Sequence, residues 1–217
     1  MAKGDAGVHT ALIARWPGRV PVGKRTDALV QYADIVPTLM DFAGADMQQV
    51  RYDGTSFSPV LLGKRETHRE FAYGVHNNVP EGTPYPIRSI CDGTYHYLRN
   101  LLPKSKYYEK HLMGKGPLNN PYWATWVEAA KTDEETARLL KRYTERPAEE
   151  LFKLTADQHE MADLANDPEH AAAKAKLSKA LDDWLKSQGD PGVPQDTPAA
   201  LKAARKGEHK YYPPAPK

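Results

Sequence analysis

Apolar and polar positions alternate most regularly between Tyr85 and Arg99, where two runs rich in Ile, Tyr and Thr flank Asp92-Gly93. That period of two belongs to half-buried strands. Asp-Gly is the dipeptide of a type I′ turn, so the stretch reads as a hairpin. With Asp92 and Gly93 as its turn, Cys91 falls opposite Thr94, Ile90 opposite Tyr95, Arg88 opposite Tyr97 and Ile87 opposite Leu98. A hairpin alone is marginal in water, so other strands or a helix must cover it. Glu70 to His76 alternates in the same way, and Glu150 to Leu154 is a further short strand candidate. Near the start, Val8 to Trp16 reads as a buried strand closed by Pro17-Gly18.

Helical spacing appears in four places. Asp34 caps a helix from Ile35 to Ala43, with Pro37 in its first turn and Gly44 beyond it. Ile35, Val36, Leu39, Met40 and Phe42 give that helix a wide apolar face, which belongs against a sheet. Asn120-Pro121 opens a second helix with Trp123, Trp126, Val127 and Ala130 on one side. Thr132 and Glu135 form a capping box ahead of a third, striped by Leu139, Leu140 and Tyr143. Asp167-Pro168 opens the longest, which runs to Gly189 and repeats Ala173, Leu177, Ala180, Leu181, Trp184 and Leu185 at helical spacing. The segments around Val60–Leu62, 77–84 and 104–119 read as loops. From Asp190 onward Pro, Ala, Lys and Tyr follow no period, which predicts an extended or disordered tail.

Composition narrows the classes. Hydrophobic residues at 40% and charged residues at 27% are ordinary for a globular protein, so the 217 residues can build one large domain or one and a half ordinary ones. A net charge of +2, with no Lys/Arg block interleaved with aromatics, argues against a nucleic-acid partner. No apolar run approaches the roughly 20 residues of a membrane helix. MAKGDAGVHT has no apolar signal core, so nothing in it directs export. One cysteine excludes an internal disulfide.

Candidate chemistry is sparse. No two of the eight histidines stand at the i, i+4 spacing of a helical metal pair, and Cys91 has no partner cysteine, so no metal site is expected in this chain. Cys91, with no cationic cluster to lower its pKa, reads as a structural thiol. The loop from His76 to Glu81, with Arg88 just downstream, gathers a base, two amides, a carboxylate and a cation at a strand mouth. A guanidinium suits sulfate, phosphate or carboxylate. The alternative is that Arg88 pairs across the strands with Tyr97 and His76 merely ends a strand; both readings stand. Lys3, just before the first apolar run, is positioned to meet an anion at a strand edge.

GVHTALIARWPGRVPVGK, DALVQYADIVPTLMDFAGA, YDGTSFSPVLLG, YPIRSICDGTYHYLRNL, RPAEELFKLTADQHEMADLANDPEH and LDDWLKSQGDPG, in that order, resemble the late part of a sulfatase of the alkaline phosphatase superfamily. They are most similar to N-sulfoglucosamine sulfohydrolase (sulfamidase)-like and bacterial arylsulfatase-like members. The resemblance spans about Lys3 to Gly192. It implies an α/β class: residues 1–63 end the large α/β domain. Residues 67–190 form a C-terminal subdomain, a small antiparallel sheet of about four strands packed by a long C-terminal helix, and 191–217 are the tail.

The resemblance also implies a formylglycine nucleophile, made from the Cys of a C-x-P-S-R motif, and a calcium ion in the full-length enzyme. Cys91 sits in SICDG and does not match that motif. The expectation is that motif and calcium ligands lie ahead of Met1, leaving no cofactor in this chain. Lys3 matches the sulfate-contacting lysine of the family, although relatives place three residues between their A-K-G and D-x-G that AKGDAG lacks. His76, Glu81 and Arg88 correspond to the region lining the substrate pocket, and Gln158 stands where relatives have proline. The implied partner is a sulfated sugar or aryl sulfate, and the implied location periplasmic or secreted. The resulting expectation is the C-terminal part of a sulfatase-like hydrolase, inactive alone. A non-catalytic module for sulfated glycans and a truncated gene product are the alternatives.

Overall fold

A computed structural model describes residues 9–46, 50–77, 84–114 and 121–193, together with Ala199 and Lys202. Four strands, β1 (Ala72–His76), β2 (Ile87–Cys91), β3 (Tyr95–Asn100) and β4 (Glu149–Lys153), form one antiparallel sheet in chain order. The helices are α1 (Ile35–Phe42), α2 (Ser58–Leu61), α3 (Lys110–Met113), α4 (Tyr122–Ala129), α5 (Glu134–Thr144) and α6 (Ala171–Gln188).

The hairpin forms, but its turn lies one residue later than Asp92-Gly93. Asp92 N donates to Tyr95 O at 3.1 Å and Leu101 N to Pro86 O at 3.0 Å. That ladder puts Cys91 opposite His96 and Arg88 opposite Arg99. The cause is the Asp92 carboxylate, whose Oδ1 accepts from Thr94 N at 3.0 Å and Tyr95 N at 2.8 Å. This side-chain turn keeps Asp92 at negative φ and leaves only Gly93, at φ +85°, in the left-handed region. A glycine as first central residue is the signature of a type II′ turn. On the far side, Asn100 N donates to Ala148 O and Leu154 N to Thr94 O, both at 2.8 Å, which sets the β3–β4 register.

Contacts divide the chain into two compact units, each discontinuous in sequence. The first comprises Met1–Tyr73, Ile90–His96 and Phe152–Leu164. The second comprises Gly74–Ser89, Tyr97–Leu151 and Ala165–Lys217.

In the first unit Asp34 does not cap α1 with its side chain; it adopts helical backbone angles itself. Its carboxylate, fully buried, accepts from Gln31 N and Thr55 N, both at 2.9 Å, and from both arms of the Arg69 guanidinium, Nε at 2.6 Å. Three segments of chain are thereby tied to one charge. Burial pushes the Asp34 carboxyl up, but the bonds from Arg69, Gln31 and Thr55 outweigh it and bring the pKa down to about 2. Thr38 continues the tie: its hydroxyl donates to Asp34 O at 2.7 Å and accepts from Phe57 N at 3.0 Å. Gly44, at φ +69°, lies just past α1 as expected.

Residues 9–16 form no strand, contrary to their apolar content. Leu12 is 55% exposed and Ile13 90% exposed. A run of apolar side chains becomes a strand only where a paired edge takes its backbone bonds. Val36 and Leu39 on α1 are likewise exposed, so the wide face of that helix is only partly covered.

In the second unit, Leu177 and Leu181, four residues apart on α6, are fully buried with Tyr85, Ile87, Tyr97, Leu98 and Leu151. Each such burial contributes roughly 1.5–3 kcal/mol. Beside that stripe runs a polar row at the same spacing. Lys174 pairs with Glu149 at 3.0 Å, while Arg99 donates to Ser178 at 2.9 Å and to Asp182 at 2.5 Å. The sheet and its long helix are thus joined by a greasy seam with a bonded margin. Asp133, not Thr132, caps α5: its carboxylate accepts from Glu135 N at 3.2 Å, whereas the Thr132 hydroxyl turns back toward Ala129 O. A carboxylate one position closer to the helix outcompetes the hydroxyl.

Among the described glycines of the first unit, Gly54 leaves the least room for a side chain. A Cβ there would lie 2.1 Å from Ala33 O and 2.3 Å from Ala33 C. Gly54→Ala is expected to cost at least about 3 kcal/mol, since overpacking against backbone has no side chain to yield. Urea unfolding followed by circular dichroism checks this, and a midpoint equal to wild type would contradict the packing.

Candidate functional site

β1 delivers His76 and Asn77 to the sheet's end, and β2 brings Arg88 beside them. Arg88 is completely buried, so its donors must all find acceptors inside the protein. Nε donates to Asp190 Oδ2 at 2.5 Å and Nη2 to Asp190 Oδ1 at 3.1 Å, a two-pronged pair. Nη1 reaches Asn77 Oδ1 at 2.9 Å, Ile87 O at 3.1 Å and His76 O at 3.3 Å. One guanidinium therefore holds both the backbone and the side chain of the residues at which β1 ends.

Asp190 reaches this position because Gly189, at φ +65°, terminates α6 in the left-handed conformation and turns the chain inward. Asp190 N donates to Leu185 O at 3.0 Å, and Asp190 Oδ1 accepts from Gly192 N at 2.6 Å. Burial pushes the Asp190 carboxyl up, but the Arg88 guanidinium and Gly192 N outweigh it and hold the pKa below the usual carboxylate value.

A second buried pair lies in the other unit. His96 Nδ1 is 2.5 Å from Glu160 Oε1, and Glu160 adopts φ +54°, an uncommon conformation for a residue with a side chain. Cys91, opposite His96 in the hairpin, accepts a bond from Gly93 N at 3.3 Å. Among the described residues no three His, Cys, Asp or Glu side chains converge as a metal would require. Asp34, the most buried carboxylate, is already occupied by Arg69 and two backbone amides. The described residues therefore do not fit a calcium ion.

Of the residues marked in the sequence, His76 and Arg88 come together through the 3.3 Å bond to the His76 carbonyl. Lys3 and Glu81 lie outside the described residues, as does Asn120. Arg88 faces Arg99 across the hairpin, and its ion partner is Asp190, 102 residues away. Sequence reasoning missed Asp190. The one available signal was an acidic residue directly after a helix-ending glycine, and Asp190 stood where the chain turned Pro-rich.

A small antiparallel sheet backed by one long helix is an α/β arrangement that serves many chemistries. Comparison with known proteins narrows it. Residues 4–100 match the family model described as N-sulphoglucosamine sulphohydrolase, C-terminal. The ulvan-active sulfatase of Formosa agariphila is 33% identical over 188 residues, covering 86% of this chain and 34% of that protein. Arylsulfatase A of Bos taurus is 26% identical over 188 residues, covering 86% of this chain and 32% of that protein. The solved structure of BT4656 in complex with its substrate D-glucosamine-2-N,6-O-disulfate superposes with a TM-score of 0.54 at 20% identity. It covers 82% of this chain and 28% of that one, and the likeness is one of fold. The match over residues 4–100 and the 188 residues shared with the ulvan-active sulfatase together support a sulfatase C-terminal region in this chain. It spans about a third of the length of the curated relatives it matches.

Asp190→Ala is expected to cost about 3–5 kcal/mol at pH 7, the usual penalty for stranding a buried charge. Because the folded-state pKa of Asp190 is depressed, its contribution is present above the ordinary value of 3.8 and fades as pH falls below it. Asp34 adds to the same acid loss, which runs on toward about 2. Thermal unfolding between pH 5 and pH 2 should show a steep decline for wild type and a shallower one for Asp190→Ala. Equal stability of the two proteins at pH 7 would contradict the assignment.

Proposed function

We propose that this chain is the C-terminal part of a hydrolase that removes sulfate, as an ester or a sulfamate, from a sugar, and that it forms one wall of the substrate pocket. The support is the 188-residue match to a sulfatase, taken with a sheet whose strand end is locked by Arg88. Residues 1–63 are then the end of the large domain and 67–190 the C-terminal subdomain. The region from His76 to Arg88 contacts the sugar, with His76 and Glu81 as its polar groups. Arg88 acts there by holding His76 and Asn77 in position, and Lys3 contributes a contact to the sulfate.

The formylglycine and calcium of the complete enzyme would supply the nucleophile and the charge stabilisation of sulfate transfer. They belong to the remainder of such an enzyme, because Cys91 sits in Ser-Ile-Cys-Asp-Gly and the described carboxylates do not fit calcium. This chain's own contribution is to bind, orient and exclude water. Among the described residues no helix is long and apolar enough to cross a membrane. We place the enzyme in the periplasm or outside the cell by its relatives.

The uncovered surface of the first unit supports the same reading. Leu12, Trp16 and Leu39 are exposed and line a groove of about 290 Å³ with Ile35, Phe42 and Phe57. Apolar area of that kind marks a surface that something covers, and the occupant proposed is the larger sulfatase domain.

Two assays test this. The purified chain, given an aryl sulfate with and without calcium, is expected to release no sulfate; sustained turnover would contradict the proposal. A chimera carrying this chain in place of the matching third of the Formosa agariphila sulfatase is expected to hydrolyse ulvan. His76→Ala in that chimera should raise KM several-fold, about 1 kcal/mol of lost binding, with kcat little changed. A folded but inactive chimera would count against the assignment.

A further inference from the structure

The sequence offers Arg88 as an anion clamp, yet its guanidinium has no exposed surface and is matched in charge by Asp190. A group so enclosed touches no ligand. What it does reach is Asn77, the first residue past β1, whose Oδ1 accepts from Arg88 Nη1 at 2.9 Å. A guanidinium only donates, so the oxygen of that amide must face Arg88 and the nitrogen must face away. Asn77 is half-buried, and its Nδ2 is not sealed in the interior. Among the described residues that nitrogen has no acceptor, so both of its N–H groups remain to be used.

The bond to Arg88 holds those N–H groups in one orientation before any ligand arrives. The ordering cost that a free side chain meets on binding is then already met in folding. Positive charge at Oδ1 also draws electron density from the amide and strengthens its N–H groups as donors. A pair of donors with its own oxygen engaged suits an oxygen acceptor, whether a hydroxyl, a carboxylate or a sulfate. It does not suit an ammonium or guanidinium ligand, which has only donors to offer. Because Asp190 cancels the Arg88 charge, the amide selects by hydrogen bonding and not by a net positive field.

We propose that Asn77 is a substrate-binding residue whose Nδ2 donates to an acceptor oxygen of the sulfated sugar, with the Arg88–Asp190 pair fixing the direction of the amide. The inference rests on the sulfatase reading and adds to it a named donor in the pocket region that runs from His76 to Arg88. Asn77 is thereby a specificity residue, favouring substrates that present oxygen to it at the end of β1.

Asn77→Asp separates this role from a structural one. A carboxylate keeps the acceptor for Arg88 Nη1 but has no N–H to give. In the chimera with the Formosa agariphila sulfatase, Asn77→Asp is expected to raise KM for ulvan about tenfold, with kcat and the thermal midpoint little changed. Asn77→Ala, lacking acceptor and donor alike, should raise KM as much and lower the midpoint as well. Together the two exclude repulsion by a new carboxylate, which Ala lacks, and slackening of Arg88, which Asp prevents. An aryl sulfate locates the oxygen: an unchanged KM for it puts the contact on the sugar, and a matching rise puts it on the sulfate. Wild-type KM for both substrates in Asn77→Asp overturns the proposal, because Asn77 then serves only Arg88. Turnover by the unsubstituted chimera judges the sulfatase reading on its own. If that chimera is inactive, nuclear magnetic resonance of the isotope-labelled full chain still decides the role of the amide. On titration with glucosamine 6-sulfate the Asn77 side-chain N–H signals should shift, while those of Asn100, whose Nδ2 is bonded to Pro147 O and Glu150, should stay. No shift at Asn77, or an equal shift at both, overturns it.

Discussion

The buried guanidinium of Arg88 is the constraint on which the candidate site depends. Stripping a charge of water costs several kcal/mol, and an ion pair recovers that only with good geometry and every remaining donor satisfied. Here Asp190 takes two of the five donors, and the carbonyls of His76 and Ile87 and the side chain of Asn77 share those of Nη1. Such a pair need not make the fold more stable than a hydrophobic substitute would. What it does is select one arrangement: the end of α6 and the end of β1 must occupy set positions for the charges to meet. The end of β1, at His76 and Asn77, is therefore held at a fixed point.

Asp34 plays the matching part in the other unit with the charges reversed. A single carboxylate collects Arg69 and two backbone amides from segments around residues 31, 55 and 69. Both hubs are charged groups with partners distant in sequence. They are the means by which a chain with short strands and many prolines acquires definite geometry. The burial of Leu177 and Leu181 together with Tyr85, Tyr97, Leu98 and Leu151 then supplies the hydrophobic stabilisation of the second unit.

Local patterns in the sequence disclosed the elements, and long-range pairings decided what they do. The strands near 72–76, 87–91, 95–100 and 149–153 and the helix ending at Gly189 were legible from alternation, helical spacing and a glycine stop. The hairpin register was not, because the Asp92 side chain competed for the turn amides and shifted the pairing. The same competition misled the caps at Asp34 and Thr132, where another carboxylate bond was stronger. The run 9–16 carries a strand's composition without a paired edge, and composition alone cannot supply one. Asp190 was invisible as a partner of Arg88 because nothing local connects residues 102 apart.

On the proposed reading this chain is one wall of a larger sulfatase, with its first apolar segment built to be covered. Amide hydrogen exchange over residues 9–16 measures that directly, in the isolated chain and in the chimera with the Formosa agariphila enzyme. The account predicts fast exchange in the isolated chain and protection of about a hundredfold or more in the chimera, as for amides drawn into a paired strand. Protection already present in the isolated chain, or none in either protein, would contradict it.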